Sequence, residues 1–139
     1  MEQWKRVKQM LVRTHPAFAN QHYRDMELQS RIASASPHGL VSLLYEELLG
    51  ALDVLTATAK RGSAISGNPH HAKALSIIIA LESHIDFANG GDLAAVLQRI
   101  YRSAVRRLNE TARANDVAGI KELRDAISEI AYAWAALAN

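Results

Sequence analysis

The sequence predicts an all-α protein: an antiparallel up-down-up-down four-helix bundle preceded by an N-terminal arm or short helix. Three observations predict it. Leu and Ala dominate a chain that is 49% hydrophobic and only 6% aromatic, a composition that favours helix over sheet. Apolar residues recur with a helical period through four long segments. Short stretches rich in Gly, Asn, Ser and Pro separate those segments, and short connections make consecutive helices antiparallel neighbours. The predicted division is an arm over residues 1–33, partly mobile, and a bundle over 34–139, with helices at about 37–60, 69–88, 92–114 and 117–137.

Within the arm, Trp4, Val7 and Leu11 have helical spacing and are surrounded by Lys5, Arg6, Lys8 and Arg13. A helix this short is rarely stable alone, so residues 1–20 are expected to be mobile or marginally helical. A membrane-surface anchor is the sharper reading, but one Trp and one Leu bury little area. Pro16 breaks the segment. Over Gln21–Ala33, the residues Tyr23, Met26 and Ser30 form a weak edge that suits a short helix or an extended strap equally.

The first long helix opens at Ser36-Pro37, with Ser36 placed to cap free N–H groups and Pro37 at the first helical position. From Leu40 to Leu55 its apolar residues cover an arc of roughly 240° on the helical wheel, where a bundle helix needs little more than about 100°. That surplus predicts a core on one side and a second apolar contact on the other. Gly62 suits a left-handed helix end. Asn68-Pro69 repeats the cap-plus-proline start of the second helix, whose large apolar residues from Leu75 to Ile85 cover about 200°. Asn89-Gly90-Gly91 breaks the chain and Asp92 is the expected cap of the third helix, where Leu93 to Leu108 span about 180°. Asn115-Asp116 makes the last turn and cap. The fourth helix carries Ile120, Leu123, Ile127, Ile130, Trp134 and Leu137 in a narrow stripe about 100° wide, that of an ordinary core helix with Trp134 inside it.

Composition excludes several function classes. The chain is 139 residues long, enough for one domain with a real core, and has no cysteine, so disulfides and thiolate metal sites are absent. No apolar run reaches the ~18 residues that would span a bilayer, and no signal-peptide block follows the N-terminal basic residues. Net charge is +2, which does not demand a nucleic-acid partner. Arg99, Arg102, Arg106 and Arg113 fall opposite Leu97, Tyr101 and Leu108 and read as a solvated face, with no interleaved aromatic to stack bases.

Candidate chemistry is sparse. A di-iron bundle needs Glu-x-x-His pairs, whereas Glu82 and His84 are two apart and on different faces. The adjacent His70 and His71 point about 100° apart and read as solvated rather than as metal ligands. His70 and Lys73 have the spacing of a histidine phosphotransfer helix, but Ala74 stands where a glycine is usual and His70 lies in the first turn. No catalytic residue, metal site or cofactor is expected.

Four blocks of residues resemble the flagellar secretion chaperones of the FliS family, over roughly residues 20–137. Ser34-Ala35-Ser36-Pro37, Leu40 and Leu44-Tyr45-Glu46 match its first block. Ile85-Asp86, Gly90-Gly91-Asp92 and Leu97 match the second, and Tyr101, Arg107-Leu108 and Asn115-Asp116 the third. Ala133-Trp134 matches the fourth, and Tyr23 an upstream tyrosine. Glu47, Ser103 and Ala131 depart from the family's usual Gly, second Tyr and Arg. The resemblance implies an antiparallel bundle in the cytoplasm that binds the disordered C-terminal segment of flagellin and keeps it unpolymerised until export. The flagellar export gate is a further implied partner, and the oligomeric state a monomer or weak dimer, with no nucleic acid and no membrane insertion. The expected partner grooves are lined by Leu40, Leu44, Leu48, Ile78, Ile79, Tyr101 and Leu108, some of them shared with the core. Tyr23 and Met26 are expected to cap a groove in the free protein. The alternatives are a phosphotransfer bundle or a helical adaptor unrelated to flagella.

Overall fold

A computed structural model describes residues 22–137, and the expectations placed on residues 1–20 lie outside them. Among the described residues the protein is all-α, with five helices and no strand: α1 His22–Ser34, α2 Pro37–Lys60, α3 Pro69–Ser83, α4 Gly91–Ala114 and α5 Val117–Ala136. The capping signals act as predicted at three starts. The Ser36 side chain accepts from the Gly39 N–H (3.0 Å), Asn68 from the His70 N–H (2.8 Å) and Asp116 from the Gly119 N–H (3.0 Å).

Two boundaries differ from expectation. α3 ends at Ser83 rather than near residue 88, because Asp86 organises its own turn. Its carboxylate accepts from the Asn89 N–H and side-chain amide (3.1 and 3.0 Å), and its carbonyl accepts from the Gly90 N–H. The start of α4 is not capped by Asp92, which lies inside the first turn; Gly90 holds the cap position without a side-chain bond. Both glycines there are required. A Cβ on Gly90 would sit 2.4 Å from the Asp86 carbonyl oxygen, and Gly91 has φ +52°.

α2 is the centre of the fold. It packs on α3 and on α5, α4 packs on both α3 and α5, and the four long helices close a ring. Leu40, Val41, Leu43, Leu44, Tyr45, Leu48, Leu52 and Leu55 are all buried. α1 takes up another part of that surface: Leu28 and Ile32 join the same core cluster, and Arg31 pairs with both carboxylate oxygens of Glu46 (3.2 and 2.8 Å). Most of the wide apolar arc of α2 is therefore taken up inside the fold, with Leu49 half-buried and Val54 exposed.

Asn115 locks the far end. Its left-handed backbone (φ 51°) ends α4, its Oδ1 accepts from the Ile65 N–H (2.9 Å), and its amide donates to the Ser63 carbonyl (3.0 Å). Ile65 is thereby held fully buried in the 61–68 loop.

Candidate partner-binding site

The residues named from sequence as groove-lining separate sharply. Leu40, Leu44, Leu48, Ile78, Tyr101 and Leu108 are buried in the core, whereas Ile79 is 59% exposed. As placed, the six belong to the interior. Their wheel positions are apolar because every one of them faces another helix, and periodicity alone cannot tell a covered face from an open one. On α1, Met26 is 55% exposed, and the side chain of Tyr23 lies outside the described residues. Leu28 and Ile32, not Met26, hold α1 against the core.

Open apolar surface lies elsewhere, along the seam between α4 and α5. Two adjoining cavities of about 300 and 330 Å³ share Val96, Ile100 and Ile130. The upper one adds Leu93, Leu97, Ala133, Trp134 and Leu137, with Tyr45 also in its lining; the lower adds Ser103, Ala104, Leu123, Ala126 and Ile127. The physical cause is side-chain size. Ser103 and Ala104 on α4, with Ala126 and Ala133 on α5, are too small to fill the space between two helix axes. Larger residues then edge the gap: Leu93 and Leu137 are 57% and 62% exposed. A surface helix does not ordinarily leave residues of that size clustered in water.

The upper end of this trough is clamped. The His38 ring stacks on Trp134 with centroids 4.6 Å apart and planes 8° apart, tying the start of α2 to the end of α5. The Trp134 indole N–H donates to the His38 carbonyl (3.2 Å), and His38 Nε2 lies 3.0 Å from the Trp134 carbonyl oxygen. Trp134 is half-buried against the core and lines the upper cavity, while Ile120, Leu123 and Ile127 of the same α5 stripe are buried as a core helix requires. Beneath it, Tyr45 and Tyr101 join their buried hydroxyls in a hydrogen bond. Burial pushes both phenols above their ordinary value, so both stay neutral donors and acceptors.

The polar candidates do not assemble. Among the described residues no group of three or more acidic or histidine side chains could hold a metal ion. Lys73 of the His70–Lys73 pair is engaged across the α2–α3 seam by Glu47 (2.9 Å). His70 Nδ1 lies 3.1 Å from the Asn68 cap oxygen. Arg102 of the arginine face pairs with Glu82 of α3, and Arg107, outside that face, pairs with Glu122 of α5, so both staple neighbouring helices. No described helix is long and apolar enough to cross a membrane.

Fold and trough define the class: an all-α protein with an open, largely apolar seam between two of its helices. Comparison with known proteins narrows it. The family model described as flagellar protein FliS matches residues 19–139. Relatives include the flagellar secretion chaperone FliS of Salmonella typhimurium, 31% identical over 81% of this chain and 84% of that protein. The Vibrio cholerae chaperone of the same name is 30% identical over 82% and 84%, and FliSB of Pseudomonas aeruginosa 28% over 84% and 92%. The chain belongs to the FliS family of flagellar secretion chaperones.

The trough was only partly visible in the sequence. Leu93, Val96 and Leu97 are recognisable as apolar, but the missing signal is the set of small residues along the two sides of the seam. Reading Ala126, Ala133, Ser103 and Ala104 as absent volume, rather than as neutral helix formers, would have pointed to the seam.

Proposed function

We propose that this chain is a cytoplasmic export chaperone that binds the disordered C-terminal segment of flagellin, prevents its premature polymerisation and assists type III flagellar export. The observation that carries this reading is the unfilled α4–α5 trough edged by Leu93, Val96 and Leu137. An amphipathic guest helix laid along it would bury the apolar edge and supply the missing side-chain volume. The guest bears the ordering entropy of helix formation, so binding is moderate for the area covered and reversible on delivery. The scaffold is read as an antiparallel four-helix bundle with α1 as its arm. Cross-helix pairs in opposite sequence order support this, with His38 against Trp134 and Asp53 against Arg124. Ile79, exposed on α3, is a candidate for a second guest contact. The arm residues Tyr23 and Met26 are proposed to compete with the guest, and the export gate to receive the complex from a monomer or weak dimer. Catalysis has no part in this reading, and the engagement of Lys73 by Glu47 weighs against the phosphotransfer alternative.

The test is calorimetric titration of the chain with a flagellin C-terminal peptide, followed by circular dichroism. Saturable binding with a gain of helix is the expected result. Absence of either binding or helix gain overturns the proposal.

A further inference from the structure

The edges of the trough carry opposite charge, and this specifies more than an apolar guest. At its lower end the two helices close on each other through Arg107 of α4 and Glu122 of α5, 3.3 Å apart. About two turns further up, where the space is open, Arg99 of α4 lines the lower cavity and Glu129 of α5 the adjoining upper one. Antiparallel register makes them the next rung of the same ladder, since eight residues separate Arg99 from Arg107 and seven separate Glu122 from Glu129. Yet neither Arg99 nor Glu129 forms an ion pair among the described residues, whereas Arg102, Arg107 and Arg124 all do. The rung stands open where the trough does.

We infer that the trough selects a charge-segregated helix: an apolar stripe flanked by acidic residues on the side meeting Arg99 and by basic residues on the side meeting Glu129. This rests on the reading of the α4–α5 trough as the guest site and adds the guest's chemistry to it. The guest then completes the open rung from both sides. The length follows from the same residues. Leu93 to Arg107 on α4 and Leu123 to Leu137 on α5 each span fourteen residue steps, or about 21 Å at the helical rise, room for about four turns of guest helix. Opposite charge on the two edges also fixes the guest's direction. Turning the helix end for end exchanges its flanks and brings like charges together.

The full chain is titrated with two synthetic helical peptides of identical composition and identical apolar stripe. In one, glutamates and lysines occupy opposite flanks; in the other, they alternate on both. The segregated peptide is expected to bind about 3–10-fold tighter at low salt, the range of two exposed charge contacts, and the preference to fade near about 0.5 M salt. Arg99→Glu and Glu129→Lys should each lower that preference; both positions are exposed, and thermal melts verify the fold. Equal affinity for the two peptides, binding of neither, or opposite-signed effects of the two reversals (the signature of net-charge steering alone) overturns the inference. A flagellin C-terminal peptide is titrated in parallel. Flagellin binding by a protein indifferent to flank charge removes the charge rung and leaves the chaperone reading; a flank preference without flagellin binding removes the chaperone reading alone.

Discussion

Core and groove separate most cleanly in a paired substitution, Leu48→Ala against Leu93→Ser. Leu48 is 0% exposed at the middle of α2 and belongs to the core cluster, so its truncation removes transfer free energy and leaves a cavity. The expected loss is about 2–5 kcal/mol, a large share of the ~5–15 kcal/mol that holds a domain of this size. Leu93 is 57% exposed, so its truncation removes little from the folded state. It would instead lose roughly half the value of burying a leucine when a guest covers it, about 1–1.5 kcal/mol, or about 5–13-fold in Kd. The assay is urea denaturation of both variants with guest affinity measured on the folded fraction. The expected pattern is a destabilised Leu48→Ala protein with near-normal affinity and a stable Leu93→Ser protein with weakened affinity. The reverse pattern would refute the assignment: a Leu48→Ala protein of normal stability with weakened affinity would make α2, and not the α4–α5 seam, the guest surface.

Three further outcomes follow from the geometry. Tyr101→Phe should lower stability by about 1–3 kcal/mol by leaving the buried Tyr45 hydroxyl unpartnered, while adding Tyr45→Phe should recover much of it, as read from a double-mutant cycle of urea midpoints. Gly90→Ala should destabilise the protein by at least about 1 kcal/mol because the new Cβ would meet the Asp86 carbonyl at 2.4 Å, whereas Gly50→Ala on α2, with nothing within 4 Å, should stabilise it by about 0.5–1 kcal/mol. Hydrogen bonds from Asn89 hold the Asp86 carboxyl below its ordinary value of 3.8, so its contribution is fully present above that pH and is lost as pH falls through the lower folded value. Asp86→Ala should therefore flatten that part of the acid limb in a series of thermal melts against pH.

Much of the fold was legible because it rests on local chemistry. Ser36-Pro37, Asn68-Pro69 and Asp116 mark helix starts through bonds made within three residues, and Asn115 marks an end through its own backbone. The end of α3 was not legible from periodicity. Ile85 continues the apolar pattern while Asp86 captures the Asn89 amide and stops the helix, so a side chain outside the periodic set decided the boundary.

The site failed to be legible for a different reason, which the contrast between α2 and α4 explains. An apolar arc on a wheel counts how many directions are dry, and a helix in the middle of a fold is dry in many directions. α2 has α1, α3 and α5 around it, so about 240° of apolar surface is what its position requires. α4 has a narrower arc and packs chiefly on α3 and α5, reaching α2 through the Tyr101–Tyr45 hydroxyl bond, and across the seam from its Leu93, Val96 and Ile100 the α5 positions include Ala126 and Ala133. Exposure arises from the mismatch between a helix's apolar surface and the volume its neighbours bring to it. That mismatch is a property of pairs of helices, and it becomes visible only when residues distant in the chain are set side by side. The same comparison gives the trough its charge: Arg99 and Glu129 are ordinary solvated residues on separate helices, and become an open rung only once Arg107 and Glu122 have set the register.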